Sequence, residues 1–384
     1  MDGLRGLAIL LVMFYHYVYG GLDESSAAGR WVHAVFPLAW SGVDLFFVLS
    51  GFLLGGILLD ARESGNYFRT FYIRRCCRIL PLYFLWVGLV ILLPRIFPQA
   101  TPSEWYSAVF LREIPHFAHW EYFLFLQNFY VAKTSLFGSS WLAVTWSLAV
   151  EEQFYLVLPF AIWVIPRRTL PVVLGALILL VPAGRVLLYL FRPDLFLFVL
   201  LPCRADTLLL GVLCACLIKD EKARGWLEAG RERLLLPFIV LLLGVGGLTA
   251  FAGRQGYARL FNSFEMVSLG YSWLAMFYAS LLLLVVTAKT GLIRAVMLWP
   301  WLRHFGIIAY GMFLMHMAVN NLVHGLLFST ASVQFAHFVD LLATLLAFLL
   351  TWLLALISWH FLEKPIIAWG HSFSYSKAGG RAAG

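Results

Sequence analysis

Charged side chains are scarce in this sequence. Asp, Glu, Lys and Arg make up 12% of the 384 residues, whereas hydrophobic residues make up 62%. A water-soluble domain is about half apolar and has about a quarter charged residues. The composition therefore excludes a single water-soluble core. Nucleic acid is not an expected partner either, because the net charge of +8 is divided among short loops between apolar segments.

Cysteine is also scarce, and the motifs of several enzyme classes are missing. The five cysteines show neither disulfide nor zinc-ligand spacing, so we expect them to be structural and expect no metal site. The sequence contains no Gly-x-Ser-x-Gly elbow, Walker loop, His-Glu-x-x-His motif, Rossmann glycine pattern or His-x4-Asp pair. These absences argue against the usual serine hydrolases, nucleotide-binding enzymes, zinc peptidases and glycerolipid acyltransferases.

Long apolar segments are what the sequence does have. About ten of them reach the roughly 20 residues that a helix needs to cross a bilayer. They are residues 4–20, 35–59, 79–97, 142–165, 170–190, 202–218, 234–251, 271–287, 304–328 and 338–362. The first carries Asp2 and Arg5 in its opening turns and is followed by no small-residue cleavage site, so we expect a retained helix rather than a signal peptide.

Basic residues are concentrated in the even-numbered loops between these segments. Cytoplasmic loops carry an excess of Lys and Arg, so the even loops and both chain ends are expected in the cytoplasm. The expected fold is an all-α integral membrane protein, a single bundle of about ten transmembrane helices with both termini cytoplasmic. We expect residues 1–369 to form one domain and residues 370–384 a disordered cytoplasmic tail. The aromatic-rich segment of residues 98–140 is expected at the outer interface or over a site there.

Arg5 and His16 form the sharpest pair of polar residues inside the expected membrane region. They are eleven residues apart, which is about three helical turns and about 16 Å along one stripe of the first helix. Arg5 could bind the anionic end of a long donor such as coenzyme A, while His16 could act as general base on an acceptor hydroxyl. A topology anchor and a hydrogen-bonded interior histidine are the structural alternative.

An arginine cluster lies before the third apolar segment. Arg74 and Arg78 are four residues apart, so they share a helix face and could bind phosphates together with Arg75. A cytoplasmic anchor that contacts lipid headgroups is the alternative interpretation.

Two adjacent carboxylates lie near the start of the fourth segment. Ser147, Glu151 and Tyr155 recur every four residues and share one stripe, whereas Glu152 points elsewhere. Glu151 could orient the His16 ring or position the acceptor, and Ser147 on the same stripe is expected to bind substrate. An interfacial helix cap is the alternative for Glu151.

Three further charged residues fall inside apolar segments. Asp44 and Arg204 are both expected near the outer side, where they could pair with each other or contact a polar acceptor. Asp206 lies two residues after Arg204. Structural and substrate-binding roles remain equally open for them.

These segments together resemble the acyltransferase 3 family of membrane acyltransferases over nearly the whole chain. The resemblance rests on residues 2–10 (DGLRGLAIL) with His16, 42–52 (GVDLFFVLSGF), 74–83 (RRCCRILPLY), 146–155 (WSLAVEEQFY), 204–211 (RADTLLLG) and 363–365 (EKP). The first of these is similar to an Arg-x10-His signature of that family.

The resemblance implies an enzyme that moves an acyl group, most commonly acetyl, from cytoplasmic acyl-CoA to a hydroxyl. The implied acceptor is a carbohydrate, a lipid-linked sugar or another envelope-associated molecule, and the implied location is the bacterial inner membrane. No permanently bound cofactor is implied. By the same likeness His16 is catalytic with assistance from Glu151, and Arg5 contacts the donor.

His316 departs from the family pattern, because the family more often has Ser before Tyr310 and Pro shortly after the histidine. His316 is therefore left out of the expected catalytic set. Two rivals remain: a transporter or flippase that uses the same intramembrane charges, and an acyltransferase of another fold centred on His316 with Asn320 or Asn321.

Overall fold

The computed structural model describes residues 1–22, 25–96, 120–255, 260–329, 335 and 337–376, and every regular element in these ranges is helical. The α-helices are α1 (Asp2–Tyr17), α2 (Ala27–Val35), α3 (Gly42–Ala61), α4 (Tyr67–Ile96), α5 (Trp120–Phe123), α6 (Gln127–Thr134), α7 (Thr145–Val164), α8 (Leu170–Phe191), α9 (Leu201–Lys219), α10 (Glu221–Ala229), α11 (Arg231–Gln255), α12 (Tyr271–Thr287), α13 (Leu292–Met297), α14 (Pro300–Ile307), α15 (Ala309–Phe328), α16 (Phe338–Ser358) and α17 (Lys364–Ser372). Single turns of 3₁₀ helix (Tyr19–Gly21, Ala39–Ser41, Leu197–Val199) and of π helix (Met266–Gly270, Trp359–Glu363) join some of them.

Ten helical segments within the described residues are long and apolar enough to cross a membrane. They are Asp2–Gly21, Ala39–Ala61, Tyr67–Leu93, Thr145–Val164, Leu170–Phe191, Leu201–Lys219, Arg233–Gly253, Met266–Thr287, Ala309–Phe328 and Phe338–Ser372. The prediction of an all-helical fold with about ten helices able to span a membrane is confirmed for the described residues.

The loops between spans gather at two ends of the bundle. At the basic end, Arg62 donates a hydrogen bond to the Trp163 carbonyl and Arg167 donates one to the Leu59 carbonyl. At the opposite end, the Phe196 amide donates to the carbonyl of Ala132. The start of α1 packs on α13 and α14, and α17 packs on α4, so both described chain ends lie at the basic end.

Glycines bring the central helices into close contact. A Cβ atom at Gly51 of α3 would collide with the Leu208 carbonyl oxygen of α9, and one at Gly211 would collide with the Val48 carbonyl oxygen. Small residues allow membrane helices to approach at backbone distance, where van der Waals packing holds them together. α3 and α9 therefore form a tight pair that fixes the position of their buried charges.

The spans differ greatly in burial. In an apolar 18-residue stretch of α15, 72% of the residues are buried, whereas the corresponding stretch of α11 has 6% buried. α1, α3 and α15 lie at the centre, while α8 and α11 present leucine-rich faces outward. Polar side chains on the central helices are therefore shielded from lipid.

Two predicted boundaries at the basic end are corrected. The third span begins at Tyr67 rather than residue 79, because the polar first turns continue the helix beyond the apolar stretch that sequence hydropathy detects. The ninth begins at Ala309 rather than residue 304, because α14 is a separate helix that ends at Ile307.

The predicted disordered tail also begins too early. The tenth span continues through a π turn into α17, which ends at Ser372. Asn66 then donates a hydrogen bond to the Ser374 carbonyl and accepts one from the Ser376 amide, both at 2.9 Å. Residues 377–384 lie outside the described residues. So does most of the aromatic segment, of which the structure describes residues 120–140, including α5 and α6.

Candidate active site

A large cavity of about 930 Å³ opens at the end of the bundle opposite the basic loops. Aromatic side chains line much of it, among them Trp40, Trp146 and Phe198. His16 contributes an imidazole ring to its wall, and residues 135–138 line it as well. Part of the aromatic-rich segment thus lies beside this cavity. We call this space the aromatic cavity.

A smaller pocket of about 120 Å³ lies between the same central helices toward the basic end. Three arginines line it: Arg5 from α1, and Arg75 and Arg78 from α4. Glu151 and Tyr155 of α7 line it as well. We call this space the arginine pocket.

The aromatic cavity and the arginine pocket adjoin. Val43, Ser147 and Phe313 line both of them. Ser147 was predicted to bind substrate, and it lies at this junction with its hydroxyl donated to the Val144 carbonyl of its own helix at 3.0 Å. A molecule in one space can therefore approach a molecule in the other across three side chains.

His16 lies beside a second histidine. Its Nδ1 atom is 3.0 Å from Nε2 of His316, and the His316 Nδ1 atom is 2.7 Å from the Phe313 carbonyl oxygen. His316 is fully buried in α15, whereas His16 is partly exposed and lines the aromatic cavity. His316 was left out on the basis of motif, but the rule that marks ionisable residues inside spans would have retained it.

Glu151 does not contact the histidine pair. Its Oε1 accepts a hydrogen bond from Ser50 at 2.8 Å, and its Oε2 accepts one from Tyr155 at 2.8 Å. The expectation that Glu151 orients the His16 ring is therefore wrong, because the partner of that ring is His316. Glu151 instead shapes the wall of the arginine pocket, where it remains able to position a substrate.

The arginine cluster of α4 is divided by the rotation of the helix. Arg75 and Arg78 line the arginine pocket, and within the described residues neither side chain makes an ion pair or a hydrogen bond. The Arg75 guanidinium lies 5.8 Å from the centre of the Tyr155 ring. Arg74 points away and donates to the Phe373 carbonyl at 3.0 Å, so the expected pairing of Arg74 with Arg78 on one face does not form.

Arg5 has a carboxylate beside it. Its guanidinium donates to Asp2 at 3.1 Å on the same helix, and both side chains are partly exposed. The remaining N–H groups of Arg5 are therefore available in the arginine pocket, as its predicted role requires.

Asp44, Arg204 and Asp206 form a buried network and line neither space. Asp44 pairs with Arg204, and both side chains are 0% exposed. Asp206 pairs with Arg185 at 3.2 Å and accepts a hydrogen bond from Ser272 at 2.5 Å. Their contact with substrate stays a prediction, whereas the alternative of mutual pairing is formed by Asp44 with Arg204.

Arg185 is a buried charge that none of the sequence motifs contains. It is the only charged residue of α8, and it donates to the Val267 carbonyl at 2.7 Å and to Ser272 at 2.7 Å. Val267 lies in a π turn. A lone arginine in a 22-residue apolar helix was the available signal, since such residues are usually paired within the bundle.

The described residues contain no group of three or more His, Cys, Asp or Glu side chains that could hold a metal ion. The fold and the site therefore define a multi-pass membrane protein with a histidine pair beside the junction of a cationic pocket and a large aromatic cavity.

Comparison with known proteins identifies the family. A family model described as an acyltransferase domain matches residues 1–360, and the chain belongs to this acyltransferase 3 family. The match removes the alternative of an acyltransferase of another fold. That alternative was centred on His316, which nevertheless lies beside His16 in this structure. No solved structure matches the chain.

Curated relatives match almost the whole chain. YrhL of Bacillus subtilis (strain 168) is 30% identical over 407 residues, which cover 97% of this chain and 56% of YrhL. The peptidoglycan O-acetyltransferase OatA of Listeria monocytogenes is 27% identical over 95% of this chain and 55% of the relative. The O-acetyltransferase OatA of Staphylococcus aureus is 25% identical over 95% and 56%. The chain thus spans just over half the length of these relatives.

Proposed function

We propose that this protein is a membrane-embedded O-acyltransferase. It moves an acyl group, in particular acetyl, from acyl-CoA to a hydroxyl of a carbohydrate acceptor such as a glycan or a lipid-linked sugar. The observation that carries the proposal is the position of His16 on the wall of the aromatic cavity, close to where that cavity adjoins the arginine pocket.

The arginine pocket fits the donor. Coenzyme A carries several phosphates, and guanidinium groups bind phosphates by charge-assisted hydrogen bonds. Arg75 and Arg78 are available for such bonds, and Arg5 has free N–H groups beside Asp2. Because the pocket faces the basic end, we infer that this end and both chain termini lie on the cytoplasmic side of the bacterial inner membrane. Acyl-CoA is made on that side.

The aromatic cavity fits the acceptor. Its volume of about 930 Å³ lies at the upper end of the range for ligand sites, so it has room for more than one sugar ring. Apolar ring faces can pack on its aromatic walls while hydroxyls bond to Ser147, Asn262 and Asp194. Hydrogen bonds from Arg192 lower the pKa of Asp194, which keeps this carboxylate an acceptor for hydroxyl donors. The name of the Listeria monocytogenes relative, a peptidoglycan O-acetyltransferase, supports an O-acetylated glycan.

The chemistry is a direct transfer between the two spaces. His16 removes the proton of an acceptor hydroxyl as its oxygen attacks the thioester carbonyl. A carbon–oxygen bond forms, the carbon–sulfur bond breaks, and the departing thiolate takes the proton back from His16. The products are an O-acyl ester and free coenzyme A. Holding both substrates in adjoining spaces lowers the entropic cost of their encounter.

The test is acetyl transfer by purified protein in detergent, with labelled acetyl-CoA and a panel of peptidoglycan fragments and lipid-linked sugars. We expect His16→Ala to lower the transfer rate by about 10²-fold or more, the usual contribution of a general base. His360→Ala, which removes an exposed histidine of the tenth span, is the matched control and should retain wild-type transfer. Wild-type transfer by a folded His16→Ala protein would contradict the proposal, and movement of labelled substrate across vesicles without release of coenzyme A would favour a transporter instead.

A further inference from the structure

The hydrogen bonds of the histidine pair have a fixed direction. The Phe313 carbonyl oxygen can only accept, so the His316 Nδ1 atom at 2.7 Å carries the hydrogen and donates it. The hydrogen-bond partners of the two rings are backbone carbonyls and each other, and none of these partners is a carboxylate. Among the described residues, no anion therefore bonds to either ring to compensate a positive charge, and we take the resting pair as neutral.

A neutral imidazole has one N–H group, so the position of the hydrogen between the two rings is determined as well. With its hydrogen on Nδ1, His316 has an accepting Nε2 atom. The His16 Nδ1 atom, 3.0 Å away, must then carry the hydrogen of the bond between the two rings. The Nε2 atom of His16 is left with a lone pair and no hydrogen.

The backbone around His316 is held by α1 itself. Tyr17, the residue after His16, donates its hydroxyl to the His316 carbonyl at 2.8 Å. The same hydroxyl lies 2.8 Å from the Thr351 hydroxyl of α16. His316 is fully buried, so its ring cannot rotate into solvent. Tyr17, which follows the candidate base His16 in the sequence, thus fixes the position of His316.

We propose that His316 is a positioning residue that sets the tautomer of His16, so that Nε2 of His16 is the basic atom in acyl transfer. The inference rests on the function proposed above. During transfer the acceptor proton moves to His16 Nε2, the ester bond forms and the carbon–sulfur bond breaks. The N–H at Nδ1 of the transient imidazolium remains hydrogen-bonded to His316, which stabilises the new charge. The thiolate then takes the proton from Nε2, which restores the neutral pair.

Two substitutions of similar size separate this role from a structural one. In His316→Gln the side chain reaches as far as the Nε2 position, where its amide oxygen can accept from His16. In His316→Asn the side chain reaches only the Nδ1 position, so the bond to Phe313 can form but no acceptor faces His16. We expect His316→Asn to lower kcat at least about tenfold with little change in the KM for acetyl-CoA, since loss of the correct tautomer costs about 10⁴-fold in the serine protease triad. His316→Gln should restore most of this loss.

A second measurement does not depend on activity. Nitrogen-15 NMR of histidine-labelled protein distinguishes ring nitrogens with and without hydrogen, and the His16→Ala spectrum assigns the His16 signals. We expect hydrogen on Nδ1 of His16 in the wild type and a larger share on Nε2 in His316→Asn.

Hydrogen on Nε2 of His16 in the neutral wild type would overturn the inference. So would equal kcat values for wild type, His316→Asn and His316→Gln, or equal losses in both variants with the tautomer unchanged. If the His16→Ala protein is inactive in these cases, the proposed function still holds and only the role of His316 is lost. If the His16→Ala protein is active, both the proposed function and the role of His316 are contradicted.

Discussion

Arginines occupy two different environments inside this bundle. Arg185 and Arg204 are buried and each pairs with an aspartate, whereas Arg75 and Arg78 line a pocket and have no such partner within the described residues. Both sets lie in membrane spans, where an unpaired charge is costly. A paired arginine serves the fold, and an arginine left without a protein partner in a pocket is available to a ligand.

The paired arginines join helices that are distant in the sequence. Asp44 of α3 pairs with Arg204 of α9, on the two helices that Gly51 and Gly211 bring into close contact. Arg204 also lies over the ring of Tyr271, 4.5 Å from its centre. This network ties α3, whose Val43 lines the aromatic cavity, to α9 and to Tyr271 of α12. Its charges act on the site through position rather than contact.

The largest effect is expected from breaking a buried pair. Asp44→Ala leaves Arg204 buried without its carboxylate, which should cost about 3–5 kcal/mol of stability. Thermal unfolding in detergent measures it as a lower Tm. Asp194→Ala, which removes the partner of the exposed Arg192, is the matched control and should leave the Tm unchanged. Equal Tm values for Asp44→Ala and the wild type would show that the buried pair does not hold the fold.

A smaller effect is expected from changes of the unpaired arginines, and it falls on the KM for acetyl-CoA rather than on stability. Arg75→Gln and Arg78→Gln should each raise the KM for acetyl-CoA about tenfold, which corresponds to about 1.4 kcal/mol for one charge-assisted contact. Neither should lower the Tm, because neither side chain makes an ion pair or a hydrogen bond within the described residues that the change would remove. A large fall in Tm without a change in KM would place these residues with the structural arginines.

The smallest effect is expected from a change of Arg74. This residue lies on the same helix as Arg75 and Arg78, but its partners are in the protein rather than in the arginine pocket. Arg74 donates to the Phe373 carbonyl and lies over the Tyr375 ring. Arg74→Gln should therefore leave the KM for acetyl-CoA unchanged and speed proteolysis of the terminal segment, since it loosens a surface contact worth about 1 kcal/mol or less. An increase in KM as large as that of Arg75→Gln would assign Arg74 to the donor site after all.

The sequence predicted the spans well and their side-chain partners poorly, for a physical reason. Hydropathy over about 20 residues reports the environment of a whole helix, so the ten spans could be read directly. Partners depend on how helices rotate and pack. Neighbouring residues differ by about 100° around a helix, so the direction of Arg74 and Arg75 was not readable from spacing alone.

The histidine pair illustrates the same limit. His16 was recognised from its spacing to Arg5 and from a family signature, both local features of the sequence. Its contact with His316 joins residues 300 positions apart and exists only in the packed bundle. Glu151 was assigned to His16 because both lie in spans, but its hydroxyl partners Ser50 and Tyr155 hold it at the arginine pocket.

The most direct test of the account is the affinity of purified protein for acetyl-CoA, measured by calorimetry on the wild type, the double variant Arg75→Gln/Arg78→Gln and the control Arg74→Gln. We predict that the double variant binds at least about tenfold more weakly with an unchanged Tm, and that the control binds as the wild type does. Equal affinity in all three proteins would contradict the assignment of the arginine pocket to the donor.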